Sequence, residues 1–189
     1  LLSWSPTAGM ALKWFKNNFC ENYSFEELNL LAEPVEPGCN GLTFLPYLCG
    51  STMPRYNPNT RGAFLGLTLE HTRGHAVRSI FEAVACMLKS NLDYLKVDCS
   101  EIRSMGGGAK SSLWCQIKAD MCRKKIVTLK NEETACLGSA ILAGTAVGLF
   151  DSVEAACRDK VSLNKTYLPQ DTDYSQCYRR FCDLERRFS

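Results

Sequence analysis

The sequence is short of histidine, lacks any large charge excess and has no long apolar run. His71 and His75 are its only imidazoles, too few for a credible zinc site among scattered thiols. The 22 basic and 20 acidic residues leave a net charge of +2. That excludes the strongly basic surface expected of a nucleic-acid or anionic-membrane binder. No stretch reaches the roughly 20 apolar residues that a membrane helix needs. Internal repeats and low-complexity tracts are missing too. No C-x-x-C occurs, and Cys177 and Cys182 lack zinc-finger spacing. The eleven cysteines cannot all pair internally, because eleven is odd. Cys86, Cys115, Cys136 and Cys157 lie in helical patterns among Ala, Met and Leu, where a thiol behaves as a small hydrophobe. Reduced packing cysteines in a cytoplasmic protein are therefore expected.

What remains is ordinary globular material: 46% apolar and 22% charged residues. A length of 189 residues favours one domain over two small ones. Such a chain buries roughly 70% of its unfolded surface. It begins at Leu1 with no signal-peptide pattern, so a piece of a longer protein is expected.

Periodicity predicts helices over 10–18 and 75–95, the second with Val77, Ile80, Phe81, Val84, Leu88, Leu92 and Leu95 on one face. Ser24-x-x-Glu27 is a capping box ahead of a short helix. Residues 42–48 and 62–69 read as paired antiparallel strands joined by a turn-rich loop. Strands follow at 101–105 and 126–129, and helices after Ser111 or Ser112, over 134–149, after Asp151 and in the tail. The small residues of 134–149 predict close packing on a sheet, and Arg179, Arg180, Arg186 and Arg187 predict a solvated face. The order β-β-α-β-α-β-α fits an α/β fold, a mixed sheet with helices on its faces. His71 and His75 lack the glutamate of a zincin motif and suit capping at a helix start, and Trp114 and Tyr47 suit the core.

The strongest chemical signal is Ser104-Met105-Gly106-Gly107-Gly108-Ala109-Lys110-Ser111, between a strand and a helix. Consecutive glycines let the backbone approach a ligand, and the helix start favours an anion. The spacing is not that of a P-loop, since Ala109 precedes Lys110. Nor is it a dinucleotide fingerprint, since Ser111 stands where glycine is needed. Nucleotide contact and a tight structural turn both remain open.

Four ordered blocks then carry a family likeness: 41–50 (GLTFLPYLCG), 57–75 (NPNTRGAFLGLTLEHTRGH), 106–120 (GGGAKSSLWCQIKAD) and 132–143 (EETACLGSAILA). Together they resemble the C-terminal domain of the FGGY carbohydrate kinases, most of all the xylulose kinases. The pattern Gly62-x-Phe64-x-Gly66-Leu67, then His75-x-x-x-Ser79-Ile80-Phe81-Glu82, is similar to the family's second signature. Ala76 stands where a larger aliphatic is usual.

The resemblance implies a ribonuclease-H-like lobe of the actin-like ATPase class spanning residues 1–189, with an N-terminal sugar-binding lobe outside this chain. It implies transfer of the γ-phosphoryl of ATP to a sugar hydroxyl such as that of D-xylulose, with Mg²⁺ held mainly through the phosphates. It points to Gly107, Gly108, Ala109, Ser111 and Ser112 as nucleotide contacts. The stretch 8–14 (AGMALKW) resembles a helix start lining the same cleft, with Gly9 near phosphate or ribose. Lys13 would be a phosphate point charge, a solvated lysine being the alternative. The catalytic aspartate and a phosphate-contacting hairpin belong upstream of Leu1, so no catalytic residue and no metal ligand is assigned here. Ser51, Thr52 and Met53 replace the Glu-Arg usual in xylulose kinases, which leaves other ketopentoses and related sugars open. The expected partners are ATP or ADP, a small sugar and the chain's own N-terminal lobe, with a homodimer open and no nucleic acid or membrane. The alternative is a non-catalytic nucleotide-binding or interaction module on the same fold.

Overall fold

The structure, a computed structural model, describes residues 7–53, 55–96 and 98–188. Its organiser is the long helix α3 (Arg73–Leu95), in which every residue from Val77 to Met87 is buried. A helix buried all round must be covered on all sides. Here α1 (Ala8–Phe19), α2 (Phe25–Ala32), α4 (Ser112–Cys122), α7 (Ser175–Phe188) and β1 (Thr43–Leu45) supply the cover. Local chemistry sets the helix starts. Ser24 Oγ accepts the Glu27 amide at 3.1 Å while Glu27 Oε2 accepts the Ser24 amide at 2.7 Å, so the expected capping box forms. The amide of Thr72 donates to His75 Nδ1 at 3.2 Å, and that of Thr68 to His71 Nδ1 at 2.9 Å. Both histidines thus serve local hydrogen bonding, as the sequence suggests. Where α2 crosses α3, a Cβ on Gly74 would stand 2.2 Å from the Leu31 carbonyl oxygen, so only glycine fits.

β1 pairs antiparallel with β2 (Ala63–Leu65), Thr43 opposite Leu65. These strands are shorter than the expected 42–48 and 62–69: Pro46 follows β1, and Gly66 turns out of β2 at φ +86°. β3 (Glu101–Ser104) and β4 (Lys125–Leu129) are parallel, and β5 (Leu163–Tyr167) joins β4 antiparallel. The expected single mixed sheet is therefore two: a two-stranded hairpin and a three-stranded mixed sheet of order β3-β4-β5. α3 and α7 pack on β1, whereas α4 carries the contact to the mixed sheet. β5 has no counterpart in the sequence reading, because Leu163 to Thr166 are all exposed and show no apolar alternation. It is held by its ladder to β4 and by a bond from the Lys165 amide to Thr128 Oγ1 at 3.1 Å.

α4 lies between the two halves. Trp114 stacks on Phe81 with ring centroids 4.6 Å apart and donates Nε1 to the Phe81 carbonyl at 3.1 Å. Cys115 and Ala119 face Ile126 of the sheet on the other side. Tyr47 is buried too, bonded to Glu185. α6 (Val153–Lys160) is capped by Ser152 rather than Asp151.

Two expectations fail outright. α5 (Thr134–Ala146) packs on α6 and not on a sheet, and most of its surface, Cys136 included, is exposed. Leu137, Ile141, Gly144 and their neighbours face inward, and the small residues opposite are exposed. In α7, Arg180 is half-buried and bonded inward: Nε donates to Thr43 Oγ1 and Nη2 to the Gly38 carbonyl, each at 2.8 Å. Arg179, Arg186 and Arg187 are exposed as expected. Tyr174, Cys177 and Phe181 seat α7 in the main core.

Beneath α7 sits a buried polar knot. Arg78 bonds Glu82 at 3.1 Å and the Tyr174 hydroxyl at 2.9 Å. Glu82 also accepts the Gly38 amide at 2.9 Å and the thiols of Cys39 and Cys177 at 3.4 Å each. A buried charge pair needs this density of partners to repay its desolvation. All eleven cysteines are free, and no described helix is long and apolar enough to cross a membrane.

Candidate functional site

The mixed sheet positions the glycine segment. β3 ends at Ser104, Met105 is exposed, and Gly106 turns the chain at φ +72°, ψ −169°. A turn of 3₁₀ helix, Gly107–Ala109, follows, with the Ala109 amide on the Gly106 carbonyl at 3.0 Å. Ser111 then caps α4 by accepting the Trp114 amide at 3.0 Å, and its hydroxyl is bonded to Asn29. Ser112 accepts the Tyr167 hydroxyl at 3.1 Å and is exposed. Of the two candidate serines, Ser111 is thus committed to the cap, and Ser112 stands outside on the helix.

The turn is propped from below. The Trp114 ring lies under Gly108, where a Cβ would meet it at 3.3 Å. The Cys115 thiol reaches the Ala109 carbonyl at 3.6 Å. Lys118 Nζ donates to Ser104 Oγ at 3.1 Å and sits 5.0 Å from the Trp114 ring centroid. Burial pulls the pKa of that ammonium down, because desolvation penalises its charged form. Gly106 and Gly107 have no neighbouring atom within 4 Å of where a Cβ would stand. The floor is rigid and aromatic, and the roof is bare backbone.

Beside the turn a cleft of about 220 Å³ opens at the carboxyl ends of β3 and β4, with Gly106, Ala109, Lys110, Asn131, Asn164 and Lys165 in its lining. Open α/β sheets place ligands at this end of their strands. Lys110 pairs with Glu132 at 2.6 Å, tying the turn to the start of α5, and the bond to Glu132 raises the lysine's pKa. With that acid paired, Lys165 and two side-chain amides give the cleft a character that favours anions. Asn131, Asn164 and Lys165 went unread in the sequence; the last two lie on β5, which carries no periodic signal.

Gly107, Gly108 and Ala109 form one turn, as the sequence expects. Gly9 and Lys13 are on a separate helix, α1, and both are exposed. No described hydrogen bond or ion pair joins either to the glycine turn. The start of α1 is fixed instead by Thr7, which is buried and bonded to the Pro46 carbonyl. The glycine turn and the helix start, propped by Trp114, form the candidate site of an α/β lobe, open on its exposed side.

Residues 6–147 match the C-terminal domain of the FGGY family of carbohydrate kinases. The chain belongs to that family. It is 35% identical over 177 residues to the xylulose kinase of Staphylococcus epidermidis, an alignment covering 90% of this chain and 36% of that protein. Among solved structures it is similar to a ligand-bound xylulose kinase from Lactobacillus acidophilus, with TM-score 0.83 and 25% identity, over 96% of this chain and 38% of the other. It is also similar to Plasmodium falciparum glycerol kinase with ADP, with TM-score 0.79 and 25% identity, over 96% and 37%. The chain thus spans little more than a third of the length of these relatives. Its fold is that of the FGGY sugar kinases, the actin-like ATPase architecture anticipated from the sequence.

Proposed function

We propose that this chain is the nucleotide-binding lobe of a sugar kinase that transfers the γ-phosphoryl group of ATP to a ketopentose such as D-xylulose. The observation that carries the reading is the propped glycine turn at the carboxyl ends of β3 and β4, with the cleft beside it. A base and ribose suit bare backbone over an aromatic floor, with Gly107, Gly108 and Ala109 in contact and Ser112 at the rim. Lys110 and Lys165 are placed to meet phosphate oxygens by charge. Gly9 and Lys13 would complete the cleft from α1 once the lobes close on the nucleotide.

At about 220 Å³ the cleft falls short of the roughly 300 Å³ at which ligand pockets usually begin. That suits half of a two-lobed site. The described residues include no group of three or more metal-ligating side chains. As the family likeness implies, Mg²⁺ would reach this lobe on the nucleotide's phosphates and would there neutralise charge that builds during transfer. The catalytic base and most sugar contacts fall to the preceding lobe, so the 189-residue chain alone is inactive. The similarity to a xylulose kinase supports a ketopentose acceptor, and free thiols throughout suit a reducing cytoplasm.

The test uses the full-length gene product and the 189-residue chain side by side, with ADP calorimetry and a ketose screen read by ATP consumption. Sugar-dependent turnover is expected only from the full-length protein. Robust turnover by the chain alone sinks the half-site reading. ADP binding without sugar-dependent turnover in the full-length protein favours a non-catalytic nucleotide module instead.

A further inference from the structure

Lys118 is a half-buried cation that the proposed chemistry leaves unused. It follows Trp114 by four residues, so both side chains leave one face of α4. That face turns toward the end of β3, where Lys118 Nζ donates to Ser104 Oγ at 3.1 Å. The ammonium also stands 5.0 Å from the centroid of the Trp114 ring. Both contacts favour its charged form, but among the described residues no carboxylate pairs with it. The lysines around it are placed differently. Lys110, Lys124 and Lys125 are paired with Glu132, Asp98 and Glu101. Lys165 is exposed, so water and salt screen its charge. An unpaired and partly desolvated charge costs free energy, and burial accordingly draws the Lys118 pKa down.

The position of the charge points to what offsets that cost. A Cβ on Gly108 would stand 3.6 Å from Lys118 Nζ, so bare glycine backbone lies directly against the ammonium. Gly106 and Gly107, next in the same turn, have open space where their side chains would be. Ser104, the hydrogen-bond partner, lines the cleft beside the turn. We infer, on the strength of the nucleotide reading above, that Lys118 is a positioning residue for the nucleotide's phosphate chain. It is a counter-charge held under the glycine turn and left unpaired until the anion arrives. Poor access to water strengthens the field that Nζ exerts across the turn, relative to a lysine in open solvent. That field acts on a diphosphate and does little for an uncharged nucleoside. Lys118 therefore separates ADP from adenosine, whereas a side chain that merely braced the turn would serve both alike.

The experiment compares the full-length gene product with its Lys118→Met and Lys118→Gln variants. Calorimetry measures the binding of ADP and of adenosine, and urea unfolding measures stability. Both variants are expected to bind ADP about tenfold more weakly and adenosine within about twofold of the parent. Lys118→Gln keeps a donor for Ser104, so equal losses in the two variants trace the effect to the charge and not to that hydrogen bond. Lys118→Met removes an unpaired charge from a half-buried position, so its urea midpoint should equal or exceed that of the parent. This last readout needs no nucleotide. Undiminished ADP affinity in Lys118→Met overturns the inference and leaves the nucleotide site standing. ADP affinity restored in Lys118→Gln overturns it too, by giving the effect to the Ser104 bond. Adenosine binding weakened as much as ADP binding, or a urea midpoint lowered in both variants, would make Lys118 a brace. A parent protein that binds neither ADP nor adenosine overturns the nucleotide reading itself, and the role of Lys118 with it.

Discussion

Adjacent glycines in the turn make opposite predictions, because one faces the floor and the other faces open space. A Cβ at Gly108 would stand 3.3 and 3.4 Å from the Trp114 ring and 3.6 Å from Lys118 Nζ. Trp114 cannot retreat: it is stacked on Phe81 at 4.6 Å and tethered through Nε1 to the Phe81 carbonyl. Gly108→Val therefore overpacks the floor at a cost of about 1–3 kcal/mol. For a chain of this size each kcal/mol moves Tm by about 2–4 °C, so a fall of roughly 2–12 °C is expected. A Cβ at Gly107 meets nothing within 4 Å, and Gly107 is not among the glycines of positive φ. Gly107→Ala should therefore leave the fold intact and stabilise it by about 0.4–1 kcal/mol through the unfolded chain. Its methyl group would nevertheless stand off the bare roof where the proposed nucleotide would pack. We expect ADP affinity to fall about tenfold, or ~1.4 kcal/mol. Thermal unfolding and ADP calorimetry on the two variants separate the effects. The reasoning is refuted if Gly107→Ala lowers Tm as Gly108→Val does, or leaves ADP binding unchanged.

Other expectations follow from the core. Glu82→Ala strands Arg78 without its buried counter-charge and should cost about 3–5 kcal/mol in urea unfolding, whereas a loss below about 1 kcal/mol would deny the knot its structural role. Gly74→Ala drives a methyl into the Leu31 carbonyl 2.2 Å away and should destabilise the chain by at least about 1 kcal/mol, read as a lower urea midpoint. Alkali should unfold the protein early, since burial pushes the Cys122 thiol from 9.0 up to about 12 and raises Cys39, Cys86, Tyr47, Tyr174 and Tyr178 in the same direction. Unfolded thiols release protons near their ordinary pKa while the folded ones hold them, so the Cys122 contribution is complete below pH 9.0 and is lost between there and about 12. Lys118, depressed by burial, works the other way but is one group against these six and against Cys115 and Cys182, which burial raises too. Urea midpoints that hold steady between about pH 8 and pH 11 would contradict this balance.

The elements that were legible in the sequence are those whose signal is local. The capping box at Ser24 and Glu27, the apolar face of α3 and the strand–glycine–helix order at 101–122 follow from spacing and backbone chemistry over a few residues. Those rules operate before any long-range contact forms. The glycine turn was legible as a place where backbone is laid bare, and the four ordered blocks identified the family. Their residue types meet demands of turn, strand and helix that any chain of this fold must meet.

What only the tertiary structure decided depends on residues far apart in sequence. β5 exists because β4 offers it an edge, and nothing in Leu-Asn-Lys-Thr-Tyr announces a strand. With it come Asn164 and Lys165, which the cleft borrows from the far end of the chain. Arg180, one of four similar arginines in the tail, is bonded inward only because Thr43 and Gly38 lie beneath it. α5 carries the same lesson in reverse. Its apolar composition specifies burial, but composition says nothing of which surface does the burying. Among the described residues α6 is the element that packs on α5, and much of the helix's apolar surface stays exposed.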